Sequence, residues 1–153
     1  MRRTVHRRRR RLYAWLATLL AATTPVLTGC GDSGGKETGL DIGGVHEAFE
    51  RGDAESVVGQ EGTFSGYVKE AISPWAFTIG GDEFSGVEPL LVIEKDLPSV
   101  NEDELVRVTG TVREFDLAKV EQEIGVDFAE TLYKKFQGEP YVMAREMTKD
   151  TEQ

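Results

Sequence analysis

A mainly β fold, a small barrel of five strands with a helical segment between strands 4 and 5, is what this sequence predicts. Three observations carry that reading. Five short apolar or alternating runs lie between residues 63 and 147, two of them hold a glycine at mid-strand, and the longest connection repeats its apolar residues every three or four positions.

Residues 45–60, VHEAFERGDAESVVGQ, place Val45, Phe49 and Val57 near helical spacing and predict a short amphipathic helix. Strands are expected at 63–72, 76–80, 90–95, 105–115 and 140–147. In the fourth, Val106, Val108, Gly110 and Val112 alternate with Arg107, Thr109, Thr111 and Arg113, the period of a strand with one buried face. The first carries the same signature 44 residues earlier, FSGYVKE from Phe64 against VTGTVRE from Val108. A mid-strand glycine permits a bend, and bent strands let a small sheet close on itself. Two copies are too few for a repeat architecture, so they read as two similar strands of one barrel. AFTIGG puts Phe77 and Ile79 on one face of the second strand, PLLVIEKD is a continuous apolar run bounded by a proline and an acidic turn, and PYVMAREM is the last strand. Five short antiparallel strands in this space suggest an OB-like Greek-key barrel.

The connection DLAKVEQEIGVDFAETLYKKFQGE aligns Leu117, Val120, Ile124, Phe128, Leu132 and Phe136 in one stripe. Such a stripe faces a core, and here it is expected to plug one open end of the barrel. Gly125 interrupts it and Asp127 followed by Glu130 resembles a capping pair, so one kinked helix and two short ones both remain open.

The beginning of the chain is of another kind. Residues 1–29 hold seven arginines and no acidic residue, and the apolar run at 12–22, about eleven residues, is too short to span a membrane. That pattern is the one of an export signal. Leu27-Thr28-Gly29-Cys30 then resembles the lipobox of bacterial lipoproteins, in which the cysteine is acylated and becomes the mature N-terminus. Cys30 is the one cysteine of the chain, so an internal disulfide is excluded, and two acyl chains are what stable anchoring requires. Arg10-Arg11-Leu12 hints at twin-arginine export. The expected domains are a lipoprotein signal at 1–29, a flexible Gly/Ser-rich tether at 30–44, and an OB-like domain at 45–150.

Removing the seven signal arginines from 18 basic residues leaves 11 against 27 acidic ones, a formal charge of −16 from Cys30 onward. A domain so anionic is repelled by phosphate backbones, so no nucleic-acid partner is expected. Catalysis has little to work with: beyond the signal His46 is the one histidine, read as a surface helix residue, and Ser65, Ser73 and Ser85 have no base at a recognisable spacing. Asp82, Glu83 and Glu88 cluster in one loop and Glu102, Asp103 and Glu104 in another, yet neither follows an EF-hand spacing. They read as solvated turns, and no metal or cofactor is expected.

The stretch SPWAFTIGGDEF from Ser73 supplies the candidate binding residues. Pro74 holds Ser73 extended, Gly80-Gly81 suit a tight turn, and Trp75 and Phe77 are expected on the same side, with Trp75 capping the core at the barrel mouth. A ligand-stacking role for Trp75 and Phe77 beside Asp82 and Glu83 is the functional alternative.

Across about residues 55 to 147, in the phrases PWAFTIGGD and VTGTVREFDL, the chain resembles a group of small secreted or lipid-anchored OB-like domains of high-GC Gram-positive bacteria. The resemblance implies a fold and a compartment and brings no activity, cofactor or catalytic residue with it. The expectation is a protein lipid-anchored through Cys30 on the outer side of the cell membrane, its domain a non-enzymatic module binding an envelope protein or a small ligand. Alternatives of other classes are a structural envelope component and a hydrolase.

Overall fold

The computed structural model describes residues 40–81, 85–96 and 98–149. Helix α1 (Ile42–Glu50) leads into strands β1 (Glu61–Ser73), β2 (Ala76–Gly80), β3 (Leu90–Ile93) and β4 (Leu105–Glu114), then helices α2 (Leu117–Ile124) and α3 (Glu130–Tyr133), and finally β5 (Pro140–Lys149). The strands close into a barrel in the order β1-β2-β3-β5-β4, so the predicted mainly β barrel with helices between its fourth and fifth strands is what forms.

Closure depends on β1 serving two neighbours. Its first half pairs with β4, from Glu61 opposite Thr111 to Tyr67 opposite Leu105, and its second half pairs with β2, from Tyr67 opposite Gly80 to Ser73 opposite Ala76. Gly66 lies at the crossing, where a Cβ would stand 2.7 Å from the Gly80 carbonyl oxygen. Gly110 meets the Met143 carbonyl oxygen still more closely, beside the register shift that bends β4 against β5. Both mid-strand glycines are therefore close backbone approaches, as their sequence positions imply. One pairing differs from expectation. β3 and β5 run parallel, Leu91 opposite Tyr141 and Ile93 opposite Met143, because the chain crosses β4 and two helices before re-entering beside β3 at the same end.

Strand alternation sorts the apolar residues into two cores. Phe77, Ile79, Leu90, Val92 and Val142 point into the barrel, joined by Phe64, Val68, Val106, Val108 and Val112 and by Ile42, Val45 and Ala48 of α1. Their neighbours Ala76, Leu91, Ile93 and Tyr141 point outward, into a second cluster with Phe115, Val120, Ile124, Phe128 and Tyr133. Both faces of β3 are thus buried, which is why it reads as an unbroken apolar run.

The helices correct two expectations. It is α1 whose side chains join the barrel interior, while α2 and α3 cover the outer face of β2, β3 and β5 instead of plugging an end. The stripe still faces a core, but the core is the outer one. Helix α1 also starts at Ile42 rather than Val45, with the Asp41 carboxylate accepting from the Gly44 N–H at 2.6 Å, so this helix begins inside the stretch read as tether. It ends at Glu50, and Val57 is buried from the turn that follows. In the second stretch the Asp116 carboxylate caps α2 and Gly125, at φ 77°, ends it in the left-handed conformation. Two short helices result. Asp127 does not cap the second: Ala129 holds that position, and the Phe128 N–H is taken by the Glu121 carboxylate at 2.9 Å. Leu132, expected in the core, is 46% exposed, because a four-residue helix has too few turns to keep the stripe in register.

Candidate functional site

Of the residues singled out in the sequence, Cys30, Asp82 and Glu83 lie outside the described residues. Trp75 and Phe77 are described, and the structure separates them. Phe77 is 1% exposed inside the barrel. Trp75 occupies the two-residue turn between β1 and β2, where alternation breaks, and is half-buried against the outer cluster, edge-on to Phe128 with ring centres 6.3 Å apart. Its N–H donates to Ser73 Oγ at 3.2 Å and its carbonyl accepts from the Glu94 N–H at 2.9 Å, so the turn is fastened to β3. The Tyr133 hydroxyl donates to the same Ser73 Oγ at 2.7 Å. Burial pushes the Tyr133 phenol up from its ordinary range, against the opposing pull of the Ser73 hydroxyl. Tyr141 is raised for the same first reason, with Arg113 opposing. These residues are a packed aromatic wall under α2 and α3.

In the acidic loop at 102–104, Glu104 is engaged by its neighbours. The Glu104 carboxylate accepts from the Asn101 N–H at 3.1 Å and pairs with Lys149 at 3.0 Å. Those two partners, the backbone N–H first, hold its pKa below the usual carboxylate value. Among the described residues no three potential ligands come together to hold a metal ion.

A concave site forms elsewhere, where the first core's lid meets the second core's rim. A groove of about 230 Å³ is bounded by His46 on α1, Glu70 on β1 and Thr78 on β2. Glu88 and Pro89 of the loop before β3 form another side, and Lys135, Phe136, Glu139 and Pro140 close it from the run into β5. Local chemistry explains how these meet. Glu70 and Thr78 are register partners across β1 and β2. Pro89 and Pro140 stand at the starts of two adjacent parallel strands, where a missing N–H is tolerated, and so share one barrel end. Val87 packs near Gly43, which brings the loop over α1.

The groove is polar and unevenly charged. Lys135 Nζ lies 2.9 Å from Glu70 Oε2 and 4.9 Å from the centre of the Phe136 ring, an ion pair and a cation–π contact on one side chain. Thr78 is buried in the wall, and the Nε2 atom of His46 is buried with no hydrogen-bond partner. Leaving such an atom unsatisfied costs about 1–3 kcal/mol, which makes His46 the exception among the described side chains near this site. On sequence His46 reads as a surface helix residue, and nothing there singles out Glu70, Lys135 or Glu139 as site residues. No local signal marks them: Glu70 and Lys135 are 65 positions apart and meet only after the barrel closes.

No protein-family model matches this chain, and no curated protein matches it.

Proposed function

We propose that this chain is a lipid-anchored, extracytoplasmic binding module, attached to the cell membrane through Cys30, with the groove beside α1 as the place where its ligand or partner is taken. One observation carries the binding reading: a concave site built by five separate segments, with an ion pair and an unsatisfied imidazole nitrogen in its wall. A volume of about 230 Å³ is below the roughly 300–1,000 Å³ of pockets for drug-sized ligands, so it suits one side chain or a small polar molecule. The anchor rests on the LTGC sequence behind its short apolar run, and among the described residues no helix is long and apolar enough to cross a membrane. The formal charge of −16 argues against a nucleic-acid ligand despite the barrel type. Binding is favoured over catalysis because the Ser73 hydroxyl is engaged by the Tyr133 hydroxyl and the Trp75 N–H, neither of which is a general base.

The two parts of the proposal separate experimentally. Cys30→Ala is expected to leave the detergent-extractable membrane fraction, and retention there would refute the anchor. A photo-crosslinking residue in place of Glu88 is expected to give a discrete adduct in intact cells, resolved by mass spectrometry, that the same residue in place of the exposed Glu55 does not give. No adduct at position 88, or equal adducts at both, would refute the groove as the binding site.

A further inference from the structure

We propose that the groove recognises a primary ammonium or guanidinium group carried on an alkyl stem, an inference that rests on the groove being a binding site. Charge is the first argument. Three carboxylates, Glu70, Glu88 and Glu139, face it against one cation, Lys135, a formal balance of −2 among these four. Lys135 is already held by Glu70, and no basic side chain of the described residues pairs with Glu88 or Glu139. An entering anion would meet no available cation. An entering cation would meet two carboxylates that lack one.

Shape and lining give the second argument. Phe136, Pro89 and Pro140 supply apolar surface between the charged groups, the arrangement that accepts the methylenes of a long cationic side chain while its head stays polar. The molecule contains its own example of that recognition. Lys135 lies on the same wall with its ammonium both over the Phe136 ring, 4.9 Å from the centre, and 2.9 Å from the Glu70 carboxylate, so the wall already holds one ammonium group. A divalent metal fits less well, since among the described residues no three ligating groups converge.

The same chemistry comes from two sources, a free diamine or the lysine or arginine of a protein segment. Cadaverine and acetyl-Ala-Lys-Ala-amide represent them, with glutarate, butanol and calcium chloride as comparators, each titrated into the folded domain while backbone amide NMR shifts are followed at His46, Thr78, Lys135 and Glu139. The parallel titration uses the variant Glu88→Gln, Glu139→Gln. Both residues are exposed, so its melting temperature should match the parent's. One or both amines are expected to shift the groove resonances, with affinity about ten-fold weaker in the double variant and falling as salt is raised. Tighter binding of the peptide assigns the group to a protein partner, and tighter binding of cadaverine assigns it to a free amine. No groove shift with either amine, or equal affinity in the double variant, overturns the inference. Groove shifts with glutarate, butanol or calcium but not with the amines overturn the ligand class and leave the groove a binding site. Loss of the position-88 adduct would remove the groove itself.

Discussion

The inside of the barrel and the layer beneath α2 and α3 share the strands β2, β3 and β5, yet they are built from different residues. Inside, valines with Ile79, Leu90 and two phenylalanines fill a closed space, and α1 adds Ile42, Val45 and Ala48 to it. Outside, Phe115 stands at the centre of an aromatic group, stacked with Tyr133 at 6.2 Å and edge-on to Tyr141 and Phe136, while Trp75 meets Phe128 at the margin. A closed space demands a fixed volume, and branched aliphatics meet that demand. An open layer covered by short helices is held by large rings, each bringing much area to few contacts. Helix α3 has four residues and no side-chain cap, so it cannot stand alone and exists because Tyr133 is buried. The difference teaches that the barrel organises the molecule and the outer layer is added to it.

The sharpest test sets one aromatic of each region against the other. Phe77→Ala empties part of the closed interior and is expected to cost about 3–5 kcal/mol, a large share of the roughly 5–15 kcal/mol that stabilises a domain. Trp75→Ala removes a larger ring from the outer margin, where it is only partly buried, and is expected to cost about 1–3 kcal/mol. Urea denaturation of both variants checks the order. Equal costs, or a greater cost at Trp75, would mean that the two regions melt as one core.

The interior was more legible in the sequence than the exterior, and the reason is periodicity. Val106, Val108 and Val112 declare their face because a strand's alternation is local, and β2 falls on the predicted 76–80. The glycines at 66 and 110 announced bends that the barrel needs. The stripe from Leu117 to Phe136 announced a buried face but not which core it covers, since that depends on the crossing of the chain from β4 to β5. Parallel pairing of β3 with β5 was hidden for the same cause. The groove was the least legible part. Its walls come from residues 46 to 140, and His46 resembles any polar residue of a surface helix until Glu88 and Pro140 arrive beside it.

A second prediction probes the outer layer through its titration. The Tyr133 phenol has a raised pKa, so the folded state holds its proton longer than the unfolded chain does. Its contribution to stability is complete below the unfolded value, near pH 10, and is lost as pH climbs through the higher folded value. Tyr133→Phe is expected to cost about 0.5–1.5 kcal/mol at neutral pH through the lost bond to Ser73. Above pH 10 its stability should fall less steeply than the parent's, with a residual slope from Tyr141, which is raised in the same direction. Denaturation midpoints from pH 8 to 11.5 measure both effects, and parallel slopes would place Tyr133 in a wetter setting than the structure gives it.

The smallest expected effect falls on a residue that sequence and structure place differently. Leu132 continues the apolar spacing of Val120, Ile124 and Phe128, and on spacing alone Leu132→Ser should empty a core position at a cost of about 2–5 kcal/mol. The chain, however, leaves the helical path at Gly125, and after the extended turn through Ala129 the short helix α3 re-enters with a different side toward the barrel. Tyr133 then takes the buried place, stacked on Phe115, and Leu132 turns to solvent at 46% exposure. A surface substitution of this kind changes stability by about 0.5 kcal/mol or less, and Leu132→Ser is expected to stay inside that limit. Serine is a poorer helix former than leucine, yet over four residues held by a buried tyrosine that difference amounts to only a few tenths of a kcal/mol. A cost near 2 kcal/mol would mean that α2 and α3 share one continuous buried stripe. The outer layer would then be as tightly determined by its sequence period as the barrel interior is.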